Sequence, residues 1–264
     1  MWVSENFVFN HQIDEPSGKE YLFYRHMHPY FEIFYFLQGK ATFTVDSVKK
    51  HLEPGDIVLV QPGKYHFATV EKSKYERCVT TFSPSTLPSP LQKKIADIVP
   101  FFVSDPPLKH LFNELEDIPS LVADPDLQAI LGWCRIEEIL IRLVVGSNAS
   151  APEACNALTR SVLAYLDSHI SEPINIGRMS EELHYSKSHI SNAFTQSMNC
   201  SLMRYVRSKK IMAAHALIQS GVKPKKAAEE CGFEDYSTFY RSYCKIIGHS
   251  PSQTEEGFFG KEEH

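Results

Sequence analysis

CGFEDYSTFYRSYCKIIGHSP, residues 231–251, opens on Gly-Phe, closes on Gly-x-Ser-Pro, and holds aromatics at helical spacing between them. Asp235 stands just before the periodic run, where an aspartate caps a helix by accepting the unpaired amides of its first turn. In the helix so predicted, Phe239 and Tyr243 lie four residues apart on one side, and Ser237, Tyr240, Arg241 and Cys244 fall on the other. A short helix with a buried aromatic seam and a polar face near its N-terminus suits entry into a DNA major groove.

The pattern occurs twice. A shift of 49 residues lays Ser186 on Asp235, Ser188 on Ser237, Ile190 on Phe239, Phe194 on Tyr243, Asn199 on Gly248 and Ser201 on Ser250. Such self-similarity marks a duplicated unit. Short helical stretches, IGRMSEEL (176–183) and PKKAAEEC (224–231), precede the copies through tight connections, so each reads as helix-turn-helix. In the first copy Ile190, Ala193 and Phe194 point in, leaving Ser188, Ser191, Asn192 and Thr195 out. Between the copies, LMRYVRSKKIMAAHALIQ (202–219) reads as a rigid strut bearing Arg204, Arg207, Lys209 and Lys210. Successive major grooves lie about 34 Å apart, a distance such a strut helps to span. Upstream, Thr159 is expected to cap a helix whose Val162, Leu163, Leu166 and Ile170 share a face.

The residues expected at DNA are Lys187, Ser188, Ser191, Asn192 and Thr195 in the first copy, Arg204 and Lys209 on the strut, and Ser237, Thr238, Tyr240, Arg241 and Lys245 in the second. Asn192 suits bidentate pairing with adenine and Arg241 with guanine. Arg241 equally suits a phosphate or a neighbouring carboxylate, and both roles stand open.

Residues 160–254 resemble the DNA-binding domain of AraC-type transcription regulators. That family ends in a signature similar to A-x-x-x-G-F-x-D-x-S-x-F-x-R-x-F-K-x-x-x-G-x-S-P, matched here by Ala228, Gly232, Phe233, Asp235, Ser237, Phe239, Arg241, Gly248, Ser250 and Pro251. SEELHYSKSHISNAF and the strut resemble the family's first helix-turn-helix and linker helix. The chain departs at Pro224 and Ala227, at Asn192, Thr195 and Cys244, and at Thr254-Glu255-Glu256, where the family often has Tyr-Arg. The resemblance implies a sequence-specific DNA-binding regulator.

The front third reads differently. YFEIFYFL, ATFTV, DIVLV and YHFATV, set between QG, DS, EPG and QPG turns, have the rhythm of an antiparallel sandwich or barrel. Within it lies His26-x-His28-x3-Glu32-x6-Gly39, whose even offsets place two imidazoles and a carboxylate on one face of an extended chain, although Pro29 interrupts the strand. Gly55-x7-Gly63-x2-His66 offers a further imidazole. These resemble the two motifs of cupin barrels, in which three histidines and a glutamate bind a divalent metal; the second departs at Pro62 and lacks a following Asn. AraC-type sensory domains share this barrel and use it for an organic effector. His26, His28, Glu32 and His66 are therefore expected to line an effector pocket, with a divalent metal as the alternative occupant. Tyr30, Phe34, Phe36, Phe43 and Phe67 are expected in the barrel core.

From about Pro90 the texture turns helical, and 127–145 places Leu127, Ile130, Leu131, Cys134, Ile139, Leu140, Leu143 and Val144 largely along one face. The small, nearly uncharged run 146–157 looks like a linker. Charge is divided unevenly: 1–154 holds 14 Lys+Arg against 20 Asp+Glu, near −6, whereas 155–250 holds 12 against 8, near +4. The basic surplus permits a polyanion partner. Six scattered cysteines without a C-x-x-C pair argue against a zinc knuckle or a disulfide framework. No basic leader precedes an apolar block, and ILIRLVV is too short to span a bilayer, which together indicate a cytoplasmic protein.

The expected architecture is an all-β cupin-like barrel (1–88), a helical extension serving dimerisation (89–145), a linker (146–157), an all-α domain with two helix-turn-helix motifs (158–254) and an acidic tail (255–264). The expected function is transcription regulation by a homodimer answering a small effector, not catalysis. The rivals are a metal-dependent cupin enzyme, a metal-responsive regulator, and a regulator whose barrel only dimerises.

Overall fold

The structure, a computed structural model, describes residues 1–15, 20–96, 98–146, 149–172 and 174–253, with the backbone alone at 20–24. The expected acidic tail lies outside the described residues. Strands β1 (Trp2–Val3), β2 (Phe7–Asp14), β3 (Glu20–His26), β4 (Phe31–Gln38), β5 (Ala41–Val45), β6 (Val48–Leu52), β7 (Asp56–Val60), β8 (His66–Glu71) and β9 (Tyr75–Phe82) build the front third. They are joined by β10 (Phe101–Val103) and β11 (Glu153–Ala154). Two antiparallel sheets result, ordered β1-β2-β9-β4-β7-β10 and β11-β6-β5-β8-β3. Helices α1 (Ser89–Ala96), α2 (Pro106–Leu121) and α3 (Pro125–Val145) lie on the first sheet, and α4 (Ala157–His169), α5 (Ile176–Leu183), α6 (Lys187–Met198), α7 (Leu202–Gln219), α8 (Pro224–Glu230) and α9 (Tyr236–Ile247) form the all-α half.

The unbroken apolar run of β4 has a physical cause. Phe34 and Phe36 point into the barrel with Phe43, Val58, Val60, Val70 and Tyr75. Phe31, Ile33 and Tyr35 point the other way, under α2 and α3, with Phe112, Leu115, Ile136 and Leu140. A sheet covered on both faces has no polar side to show, so its central strands lose the apolar–polar alternation. Gly132 lets α3 come close to the N-terminal strands: a Cβ there would sit 2.3 Å from Trp2 Cη2 and 2.5 Å from Phe7 Cζ.

Several expectations change. Phe67 leaves the barrel core and packs with Met27 and Tyr65 against Leu166, Phe194, Tyr205 and Val206 of the helical half, and Tyr30 is half-buried. Residues 146–157 do more than link: Ala149 bridges Phe102, Glu153–Ala154 pair with β6 as β11, and Cys155 N–H donates to Ser47 O. An open sheet edge leaves amides and carbonyls unpaired, and this segment satisfies some of them. The barrel thus draws strands from beyond residue 88. The α4 cap is Asn156, whose Oδ1 accepts from the Thr159 amide, while Thr159 itself is fully buried. The apolar residues of α3 divide between opposite faces: Ile139, Leu140 and Leu143 are buried, whereas Leu127, Ile130 and Cys134 are exposed, along with Ile141 and Val145.

The duplicated unit is visible in its caps. Ser186 Oγ accepts from the His189 amide at the start of α6, and the Asp235 carboxylate from the Ser237 and Thr238 amides at the start of α9. Asn199 and Gly248 end those helices in the left-handed conformation, at φ 51° and 91°. The strut α7 supplies Leu202, Tyr205 and Val206 to one core and Ile211 and Ala214 to the other, so each motif packs on its own half of one helix. All six cysteines are free, four of them buried, Cys134 exposed and Cys244 half-buried. No helix among the described residues is long and apolar enough to cross a membrane.

Candidate DNA interface and barrel site

The first turns of α6 and α9 present the expected polar faces. Ile190 and Phe194, and Phe239 and Tyr243, are buried, so the remaining angular positions point outward. Lys187, Ser188, Asn192 and Thr195 are exposed and Ser191 is half-buried; Ser237, Thr238, Tyr240, Arg241 and Lys245 are exposed. Asn192 and Arg241 are related by the 49-residue shift and hold equivalent places on the two helices. Among the described residues Lys187, Arg241 and Lys245 enter no ion pair.

Other expected contacts are engaged elsewhere. Thr238 Oγ1 donates to Asp235 Oδ2 at 2.6 Å, which makes this hydroxyl part of the cap. Lys209 Nζ pairs with Asp167 of α4 at 2.9 Å and lies over the Tyr205 ring. Lys210, on the strut but outside the expected contacts, is buried, donating to Glu172 O and Gly232 O, and desolvation lowers its ammonium pKa. Arg204, though exposed, sits with Arg25 near the barrel's Tyr65. The α7 charges are thus divided by helix face among α4, the barrel, the connections after α4 and α8, and solvent.

In the barrel the three side chains do not share one extended strand as expected: His26 ends β3, His28 lies in the connection beyond Met27, and Glu32 belongs to β4. A tight turn brings them together instead, and the pairing of His26 with His66 across β3 and β8 completes the cluster. One ligand atom from each of His26, His28, Glu32 and His66 lies within 4.8 Å of the others. The three imidazole centroids are 4.5–5.2 Å apart. His28 Nδ1 faces Tyr30 O and His66 Nδ1 faces Lys64 O, each at 3.0 Å. Their Nε2 atoms therefore turn inward, 3.2 Å and 3.7 Å from Glu32 Oε2. Burial works to raise the Glu32 carboxyl, but the His66 and His28 rings hold it well below the usual carboxylate range. Burial likewise works to lower His66, and the Glu32 charge beside it brings the net shift upward.

The AraC-like ligand binding domain family matches residues 15–131, and the Helix-turn-helix domain family matches 179–257. This chain belongs to the AraC-type transcription regulators. The AraC-type chain is 25% identical over 232 residues to an uncharacterized HTH-type transcriptional regulator of Bacillus subtilis, covering 81% of this chain and 80% of that one. It is 24% identical over 234 residues to the arabinose operon regulatory protein of Salmonella typhimurium, covering 84% and 82%. Over 84 residues it is 31% identical to the multiple antibiotic resistance protein MarA of Escherichia coli, 31% of this chain and 66% of that one. Among solved structures, ToxT from Vibrio cholerae aligns over 94% of this chain and 97% of its own, with 14% identity and a TM-score of 0.40. As an AraC-type protein, the chain is a DNA-binding transcription regulator with a ligand-binding domain.

Two features of the AraC-type chain escaped the sequence reading. Tyr185 and Tyr236, exposed beside the starts of α6 and α9, are aromatic surfaces next to the polar faces. Arg207 lines a cleft with Glu234, Asp235 and Thr238, beside the first turn of α9. An aromatic adjoining each cap residue, Tyr185 before Ser186 and Tyr236 after Asp235, was the available signal for the tyrosines; Arg207 stood in the sequence only as one of several basic residues on the strut, with nothing to show which face it takes.

Proposed function

We propose that the occupant of the His26, His28, Glu32 and His66 cluster sets how the two recognition helices meet DNA, in a cytoplasmic homodimer. Support for DNA reading rests on one observation above all: Asn192 and Arg241, equivalent in the two motifs, are both exposed on helices whose opposite faces are buried. Support for coupling comes from the segments that carry the cluster. Met27, between two of its histidines, and Tyr65 and Phe67, flanking the third, pack into the helical core. The Tyr65 ring meets Tyr205 edge-on at 5.6 Å, and Tyr205 meets Phe194 of α6 at 5.3 Å. An occupant that favours one arrangement of these packed groups shifts the population of that arrangement.

The full chain should bind promoter fragments with log K falling linearly against log salt, at a slope near −0.9 per phosphate contacted. Salt-independent binding, or none to any genomic fragment, rejects the DNA reading.

The nature of the occupant has a second reading, favoured by the ring orientations. With Nδ1–H donating to a carbonyl, a neutral imidazole offers only a lone pair at Nε2, and Glu32 also offers only lone pairs. Glu32 Oε1 and His66 Nε2 are buried without a hydrogen-bond partner. Positive charge resolves this, as protons on the rings or as a divalent cation. The donor set fits iron, manganese, nickel or zinc, and tying the far ring nitrogens orients ligating histidines. Phe34, Phe36, Phe43, Val58 and Val70 fill the barrel interior, which suits an ion or a small anchored effector. A bound cation would supply open coordination positions for such an effector. Metal analysis of purified protein, with His28→Ala and Glu32→Ala as controls, decides this: about one equivalent of bound metal lost in both variants relative to the wild type supports the cation, and turnover lost with it would support the enzyme rival instead.

For the dimer, α3 offers Leu127, Ile130, Cys134, Ile141 and Val145 as a single outward stripe. A second copy of this chain is the proposed partner, since isologous pairing of the stripe would bring two DNA-binding halves to one operator.

A further inference from the structure

Where α2 crosses the outer face of the larger sheet, side chains from three elements meet. His11 of β2 and Cys78 of β9 are register partners. Glu116 descends from α2, and one ligand atom of each residue lies within 4.8 Å of the others. His11 Nδ1 is 2.5 Å from Glu116 Oε1, while its Nε2 is 3.0 Å from Glu76 Oε1. We propose that His11, Cys78 and Glu116 form a second metal site, selective for a borderline-soft divalent ion of the zinc class and separate from the histidine–glutamate cluster.

The chemistry differs from that of the first cluster in the sulfur. A thiolate favours zinc over hard cations such as magnesium or calcium. Zinc bonds of about 2.0–2.3 Å place tetrahedral donors roughly 3.3–3.8 Å apart, within small side-chain movements of the observed spacing. Glu76 accepts from the far ring nitrogen of His11, the position from which a carboxylate fixes a ligating imidazole and raises its basicity. Cys78 is buried beneath α2 and Glu116 is open to solvent, so the ion enters past the carboxylate and the remaining coordination position faces water. Coordination releases the thiol proton of Cys78 to solvent and leaves the thiolate on the ion. The ion would tie α2 to two neighbouring strands.

Cobalt(II) titration of the reduced, full-length protein tests this. Thiolate coordination gives cobalt an intense charge-transfer band in the near ultraviolet, and nitrogen and oxygen donors do not, so the first cluster contributes nothing to this readout. The expected results are a band in the wild type that saturates within two equivalents of added cobalt, the first cluster taking up at most one without contributing to the band, its loss in Cys78→Ser, and its retention in Cys134→Ser, which removes the exposed thiol. Glu116→Gln, at a solvent-facing position compatible with folding, should weaken cobalt binding about tenfold or more. No band in the wild type, a band that survives Cys78→Ser, or unchanged affinity in Glu116→Gln overturns the proposal.

Discussion

Asn192 and Arg241 carry the most specific consequence at the scale of single residues. If each reads a base edge, Asn192→Ala or Arg241→Ala costs about 1–3 kcal/mol on the preferred operator and relaxes preference at one position. Lys245→Ala, on an exposed and unpaired ammonium, should instead weaken all sequences alike and reduce the salt slope by about 1. Binding titrations on operator and scrambled duplexes at several salt concentrations separate these outcomes. The cysteines make a second prediction. Burial pushes the Cys155, Cys200 and Cys231 thiols up, and burial with the Glu116 and Glu76 charges pushes Cys78 up to about 12. Thiolates are the reactive species, so alkylation near neutral pH should label exposed Cys134 first and these four only on unfolding, as peptide mapping would show.

Helix α3 is the element whose placement bears most on assembly. Its inward face depends on Gly132, and Gly132→Val should cost about 1–3 kcal/mol or displace Trp2 and Phe7, because a side chain there has no room. Denaturant unfolding measures the loss. Its outward face makes the opposite kind of prediction: paired Ile130→Glu and Ile141→Glu should leave folding intact and shift sedimentation toward monomer. Unchanged dimer content would remove α3 from the interface. The periodicity of 127–145 showed an amphipathic helix but merged the two faces, since apolar residues beyond one stripe look like a wider version of it until the barrel covers one side. The caps of α6 and α9 fared better because capping is local, with partners two or three residues away.

At the scale of the whole molecule, the packed path His66–Tyr65–Tyr205–Phe194 joins the barrel cluster to α6. Tyr205 also donates its hydroxyl to Asp46 Oδ1 at 3.4 Å, on the turn between β5 and β6. Tyr65→Ala should leave cluster occupancy unchanged while reducing the effect of that occupancy on operator affinity. Metal content or ligand binding, measured beside DNA binding, checks both halves of the statement; an undiminished response in Tyr65→Ala would mean that coupling travels by another route.

The residues alone established what is local or repeated: two capped helices with aromatic seams, the strut between them, and the turn-punctuated strands of the barrel, because each depends on spacings of a few positions. The converging contacts came from folding. Period-two alternation says that β4 has two faces but not that helices cover one of them, and no short-range rule brings His11 to Glu116, 105 residues away. His26, His28 and Glu32 meet through a turn, not along one strand, and His66 reaches them only by pairing across the sheet. Lys209 reads as a DNA-facing charge in sequence and finds Asp167 in the fold, while its neighbour Lys210 turns to backbone carbonyls, because the direction of a side chain on a helix acquires meaning only from what packs against it.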